Sequence, residues 1–158
     1  MLGAINLKKL ITSLIPPFAI GFFSWFFTRN AMEVYGNLTS PPLSPPSTVF
    51  PIVWSILYFL MGVSLYLVRS SGGESEVKSR GYLVYALQLV FNFLWTILFF
   101  RFGLYGFSAI WLGALIVLIL LNIFYFGKVN RNAGLLLVPY LLWCLFALYL
   151  NIGIFILN

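Results

Sequence analysis

The side chains of this sequence that could do chemistry are aromatic and amide groups that recur at helical spacing. Three sets share this spacing: Trp54, Tyr58 and Met61; Asn92, Trp95 and Phe99; and Trp143, Ala147, Leu150 and Asn151. Residues spaced in this way lie on one face of a helix. The chemistry these side chains offer is aromatic stacking and amide hydrogen bonding. The small Ala147 between larger side chains leaves room for either a helix or a ligand to approach, so the spacing alone leaves both possibilities open.

Each set also has a purely structural interpretation. Trp54 and Trp143 would then be interfacial aromatic residues near the ends of membrane spans. Asn92 would simply form a hydrogen bond to a neighbouring helix. For any one of these residues alone the structural interpretation is favoured, so only their combination can indicate binding.

The composition excludes several classes of catalyst. The sequence has no His and no Asp, its acidic residues are Glu33, Glu74 and Glu76, and its single cysteine is Cys144. Ser-His-Asp and Cys-His catalysis are therefore excluded, and a metal centre lacks clustered ligands. Because no ionisable side chain lies deep in an apolar stretch, proton-coupled pumping is also disfavoured. We expect no cofactor and no metal.

The elements that must position these side chains are five long apolar stretches. Of the 158 residues, 62% are hydrophobic and 8% are charged, whereas a soluble domain has about 25% charged residues. Each stretch has close to the ~20 residues that cross a bilayer as a helix. The sequence predicts an all-α integral membrane protein, a single domain over residues 1–158 built as a bundle of five transmembrane helices. The predicted spans are about 7–27, 49–68, 82–100, 106–126 and 133–156.

The basic residues predict the orientation of the bundle in a cell membrane. Seven of them flank the spans on one side: Lys8, Lys9, Arg69, Lys78, Arg80, Lys128 and Arg131. Only Arg29 and Arg101 fall on the other side, so the positive-inside rule places the N-terminus in the cytoplasm. The net charge of +6 then indicates contact with anionic lipid and no nucleic-acid partner. The short stretch before the first span is typical of a prokaryotic inner-membrane protein.

The segment between the first two spans, residues 30–48, is rich in proline. Prolines at 41, 42, 45 and 46 prevent helix formation and favour an extended strap. Ser47 or Thr48 is expected to cap the next helix. Such a strap is either a lid over a cavity between the helices or a spacer. A separate pair of small residues, Ala109 and Gly113, is a weak indication of a homodimer.

These motifs together resemble the TspO family of tryptophan-rich sensory proteins, which includes the mitochondrial translocator protein or peripheral benzodiazepine receptor. The resemblance is carried by Tyr35, Pro41 and Pro45–Pro46 in the loop, Val53–Trp54 and Leu57–Tyr58 in the second span, Asn92, Trp95 and Phe99–Phe100 in the third, and AGLLLVPYLLWCLFALYLN at 133–151 in the fifth. It implies a five-helix bundle with a pocket that the first loop caps. The candidate ligand-binding residues are Tyr35, Trp54, Tyr58, Asn92, Trp95, Trp143 and Ala147.

The loop departs from the family pattern at four positions. Val34, Leu43 and Thr48 stand where relatives commonly have aromatic residues, and Ser40 stands where they have Lys. The strap thus keeps its prolines but has less aromatic surface. We expect weaker porphyrin affinity than in relatives.

The resemblance implies a membrane protein that binds or senses tetrapyrroles such as protoporphyrin, and that also accepts benzodiazepine-type or isoquinoline-type ligands. The alternative is light-dependent oxidative porphyrin degradation, with Trp54 and Trp143 as redox-active candidates and no classical catalytic residue. Transport of the ligand across the bilayer is a third hypothesis, although five helices without a duplicated half do not favour alternating access. A fourth is a regulatory partner whose pocket modulates its contacts.

Overall fold

The structure, a computed structural model, describes residues 3–158 and confirms an all-α bundle with five helical units of membrane-spanning length. The helices are α1 (Leu7–Phe27), α2 (Ala31–Asn37), α3 (Val49–Ser70), α4 (Ser75–Thr96, continued by a π-helical turn over Ile97–Arg101), α5 (Tyr105–Val129), α6 (Arg131–Leu136) and α7 (Val138–Leu157). The spans are α1, α3, α4 with its π-helical turn, α5, and α6 together with α7.

Local chemistry accounts for several of these boundaries. The Asn6 side chain caps α1 by accepting a hydrogen bond from the Lys9 N–H at 3.0 Å, and Asn130 caps α6 in the same way. The last span is divided at Leu137 because Pro139 lies in the first turn of α7 and has no N–H to donate. Proline therefore accounts for the discontinuity in this span.

Three features differ from the sequence-based expectation. The segment 30–48 is not extended throughout, because its first part forms the short helix α2. Thr48 is the N-cap residue of α3, but its side chain makes no capping hydrogen bond. The third span also begins earlier than predicted, at Ser75, since its charged first turns stay helical and contain an exposed Glu76–Arg80 ion pair.

The two ends of the bundle are built differently. We call the end that carries Lys8, Arg69, Lys78 and Lys128 the basic end. There, Arg69 donates to the Lys9 carbonyl and to the hydroxyls of Thr12 and Ser13, and so joins α3 to α1. The opposite end, which carries Arg29, Arg101 and residues 31–48, is called the cavity end.

Candidate ligand-binding site

A cavity of about 490 Å³ lies at the cavity end of the bundle. Its walls come from the second half of α1, from α2, from the start of α3, from the end of α4 with its π-helical turn, and from α7. π-Helical turns often occur at functional sites, and here the turn contributes Phe99 and Phe100 to the wall. The lining is largely apolar and aromatic, as expected for a small-molecule site.

Five of the seven candidate residues line this cavity: Tyr35, Trp54, Tyr58, Trp95 and Ala147. Trp54 stacks on Tyr58 with ring centroids 5.6 Å apart and an interplanar angle of 29°. It also lies 6.4 Å from the Trp95 ring and 6.1 Å, edge to face, from the Tyr140 ring. Trp54 is therefore the centre of an aromatic cluster that faces the cavity.

Asn92 is not among the lining residues, because it lies one layer below the cavity. It is 1% exposed, its Oδ1 accepts a hydrogen bond from the Tyr58 hydroxyl at 3.2 Å, and its Nδ2 donates to the Tyr140 hydroxyl at 2.9 Å. The Tyr140 hydroxyl in turn donates to Gln88 Oε1 at 2.8 Å. Asn92 thus positions the cavity-lining Tyr58 through a buried polar chain that reaches three helices.

Trp143 is also outside the lining, since Phe50 stands between it and the cavity. The Phe50 ring is 5.8 Å from Trp143 and 4.9 Å from Tyr35, edge to face in both pairs. The Trp143 Nε1 is buried without a hydrogen-bond partner among residues 3–158. Trp143 therefore packs against the cavity-lining Phe50 and is not itself a lining residue.

Asn151 lines the cavity, although the sequence analysis placed it only on a helical face. Its Oδ1 accepts hydrogen bonds from Trp95 Nε1 at 3.0 Å and from the Ser108 hydroxyl at 3.1 Å, and its Nδ2 donates to the Tyr105 carbonyl. The buried amide thus uses both acceptor positions of Oδ1 and one of the two N–H groups of Nδ2. Its role in the site is to hold the Trp95 ring in place.

The proline strap, residues 38–48, is fastened to α7 at several points. Asn158 donates to the Thr39 carbonyl and accepts from its N–H, and the Tyr149 hydroxyl donates to the Pro42 carbonyl at 2.6 Å. Pro41 lies so close to Gly153 that a Cβ there would come within 2.5 Å of the proline ring. On the cavity side, the Tyr35 hydroxyl donates to the Pro45 carbonyl.

The sequence analysis missed the wall that α1 contributes. Phe18, Phe22 and Trp25 line the cavity, and Arg29 lines its mouth one turn beyond them. The signal was present, because Phe18, Phe22 and Trp25 have the same i, i+4, i+7 spacing as the set in α3. It is masked by the many other apolar residues of α1.

The chemistry available to the cavity is binding and aromatic electron transfer. Within residues 3–158, no three His, Cys, Asp or Glu side chains come together as a metal site. The polar groups on the wall are hydroxyls, amides and a single guanidinium.

Comparison with known proteins gives one consistent result. The model of the TspO/MBR family matches residues 13–157. The tryptophan-rich protein TspO of Archaeoglobus fulgidus is 38% identical over 156 residues, which cover 97% of this chain and 99% of that protein. The tryptophan-rich sensory protein of Cereibacter sphaeroides is 34% identical, over 75% of this chain and 73% of its own length. The translocator protein of Bos taurus is 32% identical, over 83% and 79% respectively.

Proposed function

The chain belongs to the TspO/MBR family of membrane proteins, and from that premise we propose that it binds and senses tetrapyrroles such as protoporphyrin. The observation that carries the proposal is the aromatic cavity at one end of the bundle. Its volume of about 490 Å³ is within the range of about 300–1,000 Å³ typical of small-molecule sites. Trp54, Tyr58 and Trp95 offer ring faces on which a flat macrocycle can stack.

A sensor also needs a route from the ligand to the rest of the protein. Tyr58 supplies one, because its ring lines the cavity and its hydroxyl begins the hydrogen-bond chain through Asn92 and Tyr140 to Gln88. These residues belong to α3, α4 and α7. A ligand that displaces the Tyr58 ring would therefore change the contacts among three helices. One relative that matches this chain is named a tryptophan-rich sensory protein.

The binding proposal is tested by titrating the purified protein with protoporphyrin in the dark while following tryptophan fluorescence. We expect saturable quenching, because Trp54 and Trp95 would contact the ligand. A competing benzodiazepine-type or isoquinoline-type compound should reverse it, since we propose that the same cavity accepts these ligands. Absence of saturable quenching would refute the proposed function.

Light-dependent oxidation of the bound porphyrin is the second candidate function, and the position of Trp54 favours it. Trp54 faces the cavity and is in ring contact with Tyr58, Trp95 and Tyr140, which could share an oxidising equivalent. Dioxygen would be the oxidant. Trp143, the other redox candidate, lies behind Phe50.

Illumination of the saturated complex separates the two functions. A degrader loses its porphyrin absorption bands faster than free porphyrin does, and Trp54→Phe should slow that loss more than Trp143→Phe. A visible spectrum as stable as that of free porphyrin, with binding retained, identifies a binder or sensor.

We further propose that the N-terminus is cytoplasmic and that the chain resides in a prokaryotic inner membrane. The orientation follows from the basic end, because the positive-inside rule places the side richer in Lys and Arg in the cytoplasm. The prokaryotic membrane is supported by the relatives from Archaeoglobus fulgidus and Cereibacter sphaeroides. A reporter active only in the cytoplasm, fused to the N-terminus and then to the C-terminus, should be active only in the first fusion.

A homodimer is proposed through the exposed side of α5 at Gly113. A Cβ at Gly113 would meet no atom within 4 Å, so this face of α5 is free to approach a second copy. Gly113→Leu should convert a dimer to a monomer in cross-linking or light-scattering measurements. An unchanged mass would exclude this face.

A further inference from the structure

Arg29 is a charged side chain at the mouth of the cavity, and the groups around Arg29 indicate its function. Among the cavity-lining residues of the described chain, Arg29 is the only charged one. It follows the last turn of α1, where the helix ends at the Thr28 cap. The partial negative charge of a helix C-terminus favours a cation there.

Aromatic rings, not carboxylates, hold Arg29 in place. Its guanidinium carbon lies 5.4 Å from the centre of the Trp25 ring and 4.6 Å from that of Phe26. The nearest acid in sequence on the same side is Glu33, but the salt bridge found in residues 3–158 is Arg80–Glu76. Because Trp25 itself lines the cavity, these contacts keep a guanidinium without a carboxylate partner at the edge of an apolar site.

A second polar group on the same wall also lacks a partner. Ser24 is 7% exposed and lines the cavity, yet its Oγ has no hydrogen-bond partner among the described residues. The neighbouring Thr28 hydroxyl is engaged, since it donates to the Ser24 carbonyl. Because that Oγ atom is itself enclosed by protein, it is not open to a ligand, so Arg29 is the group on this stretch of wall that can meet one.

We propose that the α1 wall is an anion subsite, in which Arg29 binds a carboxylate of the cavity ligand. The ligand class is therefore a flat aromatic molecule that carries an acidic side arm. This inference rests on the proposed function and adds that the acid form of the ligand, not a neutral ester, is preferred.

A guanidinium suits this role because it can form two parallel hydrogen bonds to one carboxylate. Arg29 is itself exposed, so the pair is only partly shielded from water and its contribution is modest. Arg101 shares the same end of the bundle, but it does not line the cavity. It therefore provides a matched control for long-range charge effects.

The test compares protoporphyrin with its dimethyl ester in a neutral detergent that contains no phosphate, using the full-length protein and tryptophan quenching. Arg29→Gln should weaken binding of the diacid about tenfold and leave binding of the ester unchanged. Arg29→Lys should retain part of the preference for the acid, and Arg101→Gln should change neither affinity. Ser24→Ala should also change neither affinity, because the Ser24 Oγ is enclosed.

A second pair of probes, pyrenebutyrate and its methyl ester, separates the subsite from the tetrapyrrole function. If the porphyrins fail to bind but Arg29→Gln selectively weakens pyrenebutyrate, the anion subsite stands and the tetrapyrrole proposal falls. If porphyrins bind but Arg29→Gln affects acid and ester equally, or affects neither, the anion subsite is refuted and the binding function stands. Failure of both pairs to bind refutes both.

Discussion

At the basic end of the bundle α5 and α6 meet through small residues, whereas at the cavity end α3 and α4 meet through aromatic rings. A Cβ on Gly134 of α6 would lie 2.9 Å from the Gly127 Cα of α5 and 3.0 Å from the Ile123 carbonyl. Near this contact, the Ser64 hydroxyl of α3 donates to the Ala133 carbonyl at 2.7 Å. Backbones that approach this closely leave no space between them.

At the cavity end, large rings keep the helix axes apart. Trp54, Trp95 and Phe99 project into the centre of the bundle, and their edges contact one another without filling the space up to α1. The comparison shows how one bundle can be closed at one end and hollow at the other. The size of the residues at the helix interfaces determines the local spacing, and the wider spacing creates the site.

The largest expected effect comes from enlarging a residue at the closed end. Gly134→Leu should destabilise the protein by about 3 kcal/mol or more, because the added atoms meet the backbone of α5, which cannot move aside. Thermal denaturation in detergent measures the loss. Gly36→Leu is the control, since a Cβ there would meet no atom within 4 Å, and a loss of stability equal to that of Gly134→Leu would contradict this account of the closed end.

The second prediction removes a ring from the hollow end. Trp54→Ala should weaken protoporphyrin binding about thirtyfold, which corresponds to about 2 kcal/mol for losing a buried aromatic contact. Because the ring lines a cavity, stability should change less than binding does. Phe107→Ala, which removes an exposed ring outside the site, should leave the dark titration unchanged. The same affinity in Trp54→Ala as in the parent protein would remove Trp54 from the site.

The third prediction compares two buried asparagines, Asn92 just below the cavity and Asn122 nearer the basic end. Asn92 bonds Tyr58 and Tyr140, whereas Asn122 makes only a 3.5 Å bond to the Gly81 carbonyl and leaves its Oδ1 without a partner among the described residues. Asn92→Ala should therefore lower the stability by about 1 kcal/mol and weaken ligand binding by releasing Tyr58.

Asn122→Ala is the matched comparison, and it should lower the stability by less, because an already unsatisfied oxygen is removed. Both variants can be compared by thermal denaturation and by dark titration. If Asn122→Ala proved the more destabilising of the two, the polar chain below the cavity would not be the more stabilising of the two sites.

The smallest expected effect concerns the proline strap. Asn158→Ala removes both hydrogen bonds to Thr39, and it should raise the ligand dissociation rate about threefold with little change in the association rate. Stopped-flow displacement measures both rates, and Ile156→Ala, at an exposed position on the same helix end, is the control. An unchanged dissociation rate would mean that the strap is a spacer and not a lid.

Much of the architecture could be predicted from the sequence because the tendency of a segment to cross the membrane depends on the hydropathy of its own consecutive residues. A run of about 20 apolar residues must satisfy its backbone hydrogen bonds internally, so it forms a helix whatever its neighbours are. The boundaries of α1 were predicted in full, and the break before Pro139 followed from its missing N–H. The start of the third span was missed since Ser75–Gly81 is helical but too polar to be counted as membrane-embedded.

The site could be predicted only in part, since helical spacing says which residues share a face but not what stands in front of them. Trp54, Tyr58 and Trp95 were predicted from spacing and line the cavity, yet Phe50 separates Trp143 from it and Tyr58 covers Asn92. Arg29 was used only as an indicator of topology. Its place at the cavity mouth depends on how α1 packs against α3 and α4.

The sequence by itself thus determined the five spans, the separation of the basic residues and the family, because hydropathy and motif spacing are local properties of the chain. Only the tertiary structure decided which candidate residues share one cavity, that α2 and α1 complete its wall, and that an unpaired guanidinium lies at its mouth. These features depend on the distances between helices. Contacts such as Gly134 against Gly127 and Trp54 against Trp95 determine those distances, and they form only when the whole bundle assembles.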